Sequence, residues 1–412
     1  MSVERTVEAV WRIEASRVIA GLMRITRDLG TAEDVAQDAV VAALEQWPVS
    51  GVPDNPGAWL MAIGRRRAID AIRRRVTLQR KVEQMGRDGS TEHDPYADLD
   101  LDVHVEDDVL RLMFTACHPV LGADARIALT LKAVAGLSTE EIARAFVVPA
   151  STIAQRVVRA KRTLADAEVP FEVPTGDELT ARVESVLEVV YLVFNEGYAA
   201  TAGEQWFRTE LCQEAMRLGR ILAALTPDEP ETHGLVALME IQASRLRARI
   251  GPDGEIVTLL EQDRGRWDRT LITHALATLK RAEALGGAGG WYVLQAAIAA
   301  CHARAGSPED TDWVRIASLY AVLARIAPSP IVELNRAVAV SMADGPAAGL
   351  AIADALRDEP ALRDYHLLPS VLGDLLGKLG RGAQARAEFE RAAAMTGNER
   401  ERALLLARAA SC

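Results

Sequence analysis

Residues 138–163 read STEEIARAFVVPASTIAQRVVRAKRT, and the fold is decided there. Ser138 and Glu141 stand three apart as a capping box, so a short helix opens here and runs through Phe146. Val148-Pro149 makes a turn, because proline cannot continue the helix before it. A second helix follows from about Ser151 to Ala165. Its Ile153, Val157 and Leu164 recur at helical spacing and face a core. Thr152, Gln155, Arg156 and Arg159 lie on the other faces, and Lys161 and Arg162 follow near the end. No acidic residue occurs between Pro149 and Leu164. A capped short helix, a tight turn and a longer basic helix have the dimensions of a helix-turn-helix. Early polar side chains on its second helix reach base edges while the cations hold phosphates.

Upstream, GAWLMAIGRRRAIDAIRRRVTLQRK (57–81) is a second basic helix. Eight cations (Arg65, Arg66, Arg67, Arg73, Arg74, Arg75, Arg80, Lys81) meet one acid, Asp70. Trp59, Leu60, Ile63, Ile69 and Ile72 are expected to anchor it while the arginines project. Before it lies WPVSGVPDNPG (47–57), whose three prolines and two glycines predict an irregular loop carrying Trp47, Asp54 and Asn55. A basic helix beside such a loop can hold an unstacked nucleotide, the helix tracking phosphates and the loop reading the base. Further upstream, Thr31 and Asp34 form a capping-box-like helix start. The run Glu33, Asp34, Gln37, Asp38 is acidic, so that face meets solvent or a protein rather than phosphate.

Working outward, the whole chain reads as helical. Alanine, leucine, arginine and glutamate dominate, and aromatics are 5% of 412 residues. Residues 5–76 are helices. The segment 77–104 is polar, with Gly, Asp and Pro and no periodicity beyond residue 80, and reads as a linker. Helical pattern resumes at 105 and ends at 168, broken by Gly136 and Ser138. VPFEVPTGD (169–177) is a further boundary. Residues 175–412 are again helical, with Pro/Gly loops such as TPDEP, GPDGE, LGGAGG and APSP. Near the end, Leu372-Gly373, Leu376, Gly380, Ala385, Phe389 and Ala392 fall at tetratricopeptide spacings, and Asn335 to Ala355 echo them about 34 residues earlier.

The net charge of −11 argues against a nonspecific polyanion binder, but it conceals a segregation. Residues 1–165 carry 22 Lys and Arg against 23 Asp and Glu, a net of −1. The remainder nets −10, so the acidity lives in the second part. The amino terminus mixes Glu and Arg through its apolar positions, which predicts no signal peptide, and no apolar run approaches a membrane span. Four scattered cysteines suit a reducing cytoplasm. Cys117-His118 and Cys301-His302 lack further ligands at metal spacing, so no metal or cofactor is expected. FNEGY sets Asn195 and Glu196 between aromatics, and His233, His274, His302 and His366 are scattered. With no phosphate loop or nucleophile elbow beside them, these residues predict hydrogen-bonded groups in helical packing, not an enzyme.

AEDVAQDAVVAALEQW, AWLMAIGRRRAIDAIRRR and GLSTEEIARAFVVPASTIAQRVVRAKRTL, in that order and spacing, resemble the sigma-70 family in its extracytoplasmic-function (ECF) class. The resemblance covers roughly the first 165 residues. The rest resembles the subgroup with a long carboxy-terminal, tetratricopeptide-like extension, and YLVFNEGYAAT (191–201) is similar to a stretch in those extensions. The chain departs from the family where Val147-Val148-Pro149 replaces the usual Gly-containing turn.

The resemblance implies an all-α fold: two small helical sigma domains, the second with the helix-turn-helix, plus a helical, tetratricopeptide-like domain. It implies core RNA polymerase and promoter DNA as partners. Asp34, Gln37 and Asp38 become polymerase contacts. Asn55, Trp59, Arg65, Arg66, Arg73 and Arg74 become −10 contacts, and Ser151, Thr152, Gln155, Arg156, Arg159, Lys161 and Arg162 become −35 contacts. The extension is expected to regulate in cis or to bind a protein or peptide. A one-component regulator, with a helix-turn-helix and a helical ligand-sensing domain acting without polymerase, is the alternative. It leaves the 65–81 helix and the D-x-x-Q-D run idle.

Overall fold

The computed structural model describes residues 3–84, 105–146, 148–174, 177–198, 208–251, 257–397 and 399–412. Among them the chain is all-α, with eighteen helices and no strand. It divides into two compact units, Met1–Leu225 and Thr226–Cys412.

The first unit begins with α1 (Val3–Thr26), α2 (Leu29–Ser50) and α3 (Pro56–Gln84). Arg27, at φ 52, turns the chain between α1 and α2. The cap of α2 is Asp28, whose carboxylate accepts from the Thr31 N–H at 2.7 Å and the Thr31 hydroxyl at 2.6 Å. The expected Thr31–Asp34 start is therefore displaced by one turn, since an Asp three residues ahead competes for the same orphan N–H. Helix α2 also runs through Pro48, where a loop was expected from Trp47. Proline there removes one N–H close to the helix end. Gly51 N–H returns to the Trp47 carbonyl at 3.0 Å, and the Ser50 hydroxyl donates to Gln46 O at 3.0 Å. Burial of Trp47, 1% exposed and edge-on to Trp59 at 5.5 Å, favours keeping the turn helical. The irregular segment thus shrinks to residues 51–55.

Helix α3 continues to Gln84, past the expected start of the linker at 77; residues 85–104 of that linker lie outside the described residues. Its buried side is Leu60, Gly64 and Ala68, while Trp59, Ile63, Ile69 and Ile72 are only half-buried. Small residues, not the expected isoleucines, let α3 approach α1.

Next come α4 (Val105–Ala116), α5 (Ala123–Ala133), α6 (Thr139–Phe146) and α7 (Ala150–Asp166). The break between α4 and α5 at 117–122 has no strong sequence signal before Pro119; His118 closes it, its ring Nδ1 accepting from Val120 N–H at 3.1 Å. Gly136 turns the chain at φ +71, and a Cβ there would sit 2.8 Å from the Ala15 Cβ on α1. Only glycine meets both demands. Phe114, Leu112, Met113, Leu129, Leu131, Ile142 and Ile153 form the centre of this part.

Two more helices, α8 (Asp177–Tyr198) and α9 (Thr209–Leu225), belong to the same unit. An extension forming one domain from residue 175 was expected; within the first unit, α8 is instead fastened to α4 and α5, and α9 packs on α8. The Ser185 hydroxyl donates to Cys117 O at 2.5 Å, Arg182 donates to Phe114 O at 3.3 Å, and Arg126 donates to Ser185 and Glu188 at 2.7 and 2.8 Å. The carbonyls at the end of α4 would otherwise be orphaned, so α8 completes that end.

The second unit comprises α10 (Pro230–Ser244), α11 (Arg269–Ala284), α12 (Trp291–Arg304), α13 (Trp313–Ile326), α14 (Pro330–Asp344), α15 (Pro346–Asp354), α16 (Leu367–Lys378), α17 (Gly382–Met395) and α18 (Glu399–Ala410). Most helices pack chiefly on their sequence neighbours, while α12 lies mainly on α10. In α16 and α17, Gly373 faces the Phe389 ring and Gly377 faces Ala385. Rising numbers on one helix meet falling numbers on the other, so the pair is antiparallel. Leu372, Leu376, Ala385, Phe389 and Ala392 are buried between them, as the spacing predicts. Most of the GPDGE loop lies outside the described residues.

Candidate nucleic-acid interface

The helix-turn-helix is built as its local chemistry dictates. The Ser138 N–H donates to the Glu141 carboxylate at 2.7 Å, and the Glu141 N–H donates to the Ser138 hydroxyl at 3.1 Å. Both arms of the capping box are closed. In the turn, Pro149 precedes α7 and its carbonyl accepts from Thr152 N–H at 2.9 Å; Val147 lies outside the described residues. On α7, Ile153, Val157, Ala160 and Leu164 are buried, the stripe expected with one alanine added.

The seven α7 residues named from the sequence do not share one environment. Ser151, Gln155, Arg159 and Arg162 are exposed. Their spacing of four, four and three places them along a single face. Thr152, Arg156 and Lys161 are half-buried. The Arg156 guanidinium sits 2.9 Å from Asp124 on α5, and the Lys161 ammonium sits 2.7 Å from Glu33 on α2. Arg162 is 3.5 Å from Asp166, an exposed pair of little weight. Tertiary carboxylates thus divide the cations into an outward set and a held set.

On α3, Arg66, Arg73 and Arg74 are exposed and Arg65 is half-buried. The Arg74 Nε donates to the Asp70 carbonyl at 3.2 Å, which keeps its side chain along the helix. Asn55 is the cap of α3: its Oδ1 accepts from Ala58 N–H at 3.0 Å and its carbonyl accepts from Trp59 N–H at 3.1 Å. An N-terminal helix end with an exposed loop and a half-buried Trp59 forms one edge of this surface.

On α2, Asp34 and Asp38 are exposed and Gln37 is half-buried; Arg67 of α3 lies 3.1 Å from Asp38. Val41 and Leu44, 49% and 40% exposed, continue the same side. Glu33 departs from this group. It is 4% exposed, against Lys161 at 2.7 Å and Lys132 at 4.0 Å. The sequence carries a signal for it that the acidic run hides: Glu33 lies in line with Ala36, Val40 and Ala43, at helical spacing on the apolar side.

Burial pushes the Cys117 thiol up to about 11, with Thr130 Oγ1 3.1 Å from its sulfur, so it is a protonated packing group at neutral pH. Glu196 is ion-paired with Arg208 in helical packing, as Asn195-Glu196 predicted. Among the described residues no group of His, Cys, Asp and Glu could hold a metal ion, and no helix is long and apolar enough to cross a membrane.

Comparison with known proteins falls on the same segments. Residues 11–77 match the sigma-70 region 2 family and residues 111–164 match the sigma-70 region 4 family. Residues 182–283 match a family of unknown function, DUF6596, which begins on α8. The chain is 43% identical to an uncharacterized protein of Rhizobium meliloti, over 94% of this chain and 92% of that one. It is 32% identical to the ECF RNA polymerase sigma factor SigK of Mycobacterium tuberculosis, over 36% of this chain and 78% of SigK. No solved structure matches. A helix-turn-helix with an outward basic face, a basic α3 capped by Asn55, and these two matched regions in order lead to one conclusion: the chain is a member of the ECF class of sigma-70 RNA polymerase sigma factors, carrying a long helical C-terminal extension.

Proposed function

We propose that this sigma factor joins core RNA polymerase through the exposed side of α2, with Asp34, Gln37 and Asp38 among the contacts, and brings promoter DNA to two separated readers. The face Ser151–Gln155–Arg159–Arg162 on α7 reads the −35 element, and α3 with Asn55 and Trp59 engages the opened −10 strand. The observation that carries this is the single outward face on α7, opposite a buried stripe of four residues. Hydrogen-bonding side chains lead that face and cations end it, the order a recognition helix requires. Two weak attachments joined by one chain bind far more tightly than either alone. The factor performs no covalent step and needs no cofactor. It works in the cytoplasm, where the polymerase is.

The extension acts in cis in this proposal. Its helical pairs, spaced as tetratricopeptide units, offer a surface for a peptide or a polymerase subunit. Its excess of acids, a net of −10 over residues 166–412, bears on how strongly the basic helices compete for phosphate. The test is in vitro transcription from genomic templates with core polymerase, comparing the full chain with residues 1–225. Promoter-dependent transcripts are expected, with different yields from the two chains. Failure to bind core and to yield any transcript refutes the proposal. Operator binding without any polymerase dependence would favour the one-component regulator instead.

A further inference from the structure

The second unit carries a pocket of about 470 Å³ where the end of α12 meets the start of α13, lined by Cys301, Arg304, Asp310, Asp312 and Arg315 among others. Its wall is fixed from beneath. Arg264, 5% exposed, donates to His302 O at 2.7 Å, to Ala305 O at 2.8 Å and to Thr311 Oγ1 at 3.2 Å. The connection between the two helices is thus wrapped on one buried guanidinium, and a pocket with that support is formed before any ligand arrives.

The four charged side chains in the pocket are exposed. Among the described residues no carboxylate lies within ion-pair distance of Arg304 or Arg315. One oxygen of each aspartate serves the local chain: Asp310 Oδ2 accepts from the Ser307 N–H at 3.1 Å and the Ser307 hydroxyl at 3.0 Å, and Asp312 Oδ1 accepts from the Arg315 N–H at 2.9 Å. Cys301 adds no charge. Its thiol donates to Ala297 O at 3.3 Å, and burial pushes it up against the pull of Arg315 and Arg304 nearby. Two guanidiniums in one small pocket disfavour a cation, and two carboxylates disfavour an anion. The ligand that answers both carries both charges. We propose that this pocket binds a free α-amino acid, Arg304 and Arg315 holding its carboxylate and Asp310 and Asp312 its ammonium. Guanidinium forks match a carboxylate, the volume suits a small molecule, and the Cys301 thiol offers a soft apolar contact. The inference goes beyond the sigma-factor reading: it makes the extension a receptor in its own right.

The test is isothermal titration calorimetry of the full chain with each common L-amino acid up to about 10 mM. At least one should bind. Its N-acetyl derivative, which lacks the ammonium, and its amide, which lacks the carboxylate, should each bind about tenfold or more weakly than the parent. Arg304→Gln and Asp310→Asn, both at exposed positions, should weaken binding by about the same factor, the asparagine keeping an acceptor for Ser307. Arg325→Gln, exposed on α13 outside the pocket, should bind like the unaltered chain. The ligand should also slow maleimide labelling of Cys301, read by peptide mass mapping, and leave that of the exposed Cys412 unchanged. That measurement needs no variant to fold. Absence of binding by every amino acid overturns the proposal. So do derivatives that bind as tightly as the parent, unchanged affinity in both pocket variants, or Cys301 labelling that the ligand does not slow. Because binding is read without DNA or polymerase, a failure to yield transcripts would refute the sigma-factor role alone.

Discussion

Arg156 and Arg159 look equivalent in the sequence, three residues apart on one basic helix, yet the structure predicts different effects on DNA binding when each is replaced by alanine. Arg159 is exposed on the face shared with Gln155 and Arg162, whereas Arg156 is half-buried with its guanidinium 2.9 Å from Asp124. Removing one phosphate-contacting cation lowers the slope of log K against log salt by about 0.9. Between 50 and 200 mM salt, a fourfold change, the penalty for Arg159→Ala should therefore shrink by about 3.5-fold. Arg156 has first to leave Asp124. Because Asp124 is 71% exposed at its side chain, that pair holds no more than about 1 kcal/mol. Arg156→Ala should accordingly cost up to about fivefold less affinity than Arg159→Ala, and Asp124→Ala should tighten binding by no more than that factor. Anisotropy titrations of a selected −35 duplex at five salt concentrations read both quantities. Equal slopes for the unaltered chain and Arg159→Ala, or a greater loss from Arg156→Ala, would refute the assignment of the outward face.

Further measurements check other parts of the structure. Ile153→Ala, at a position 1% exposed, should cost about 2–5 kcal/mol in denaturant unfolding of the first unit, with loss of DNA binding following loss of fold. A chain ending at residue 170 lacks the Arg182, Ser185 and Glu188 partners of α4 and α5, so region 4 should melt at a lower temperature than in a chain ending at Leu225; identical melting would show that α8 and α9 are dispensable. In the second unit, burial, with Arg245 and Arg264 nearby, pushes His302 down to about 4. The unfolded chain protonates His302 below about 6.5 while the folded one stays neutral, so stability is full above 6.5 and falls with acidification, by about 3 kcal/mol at pH 4. Replacing His302 with glutamine should flatten that part of the urea-midpoint profile.

The helix-turn-helix was legible because everything that makes it is local. The capping box closes over three residues, the turn is set by Pro149, and the buried stripe on α7 repeats within one helix. The Gly373–Phe389 hairpin was legible for the same reason: both partners lie on consecutive helices joined by a short turn. Local rules also misled. Proline at 48 suggested a loop, yet burial of Trp47 against Trp59 outweighed one lost hydrogen bond at a helix end. The Glu33–Asp38 run looked like one acidic face, although residue 33 is turned about 100° from residue 34 on a helix.

By itself the sequence determined the helical class, the helix-turn-helix and the basic helix before it, their order, and the charge segregation between head and extension, since these depend on spacing within a helix and on composition. Only the tertiary structure decided which cations face outward, that Glu33 holds Lys161 and Lys132, and that α8 and α9 complete the first unit. The reason is physical: a side chain's charge is written in the sequence, but what screens, pairs or buries it is supplied by residues a hundred positions away, brought near only by packing.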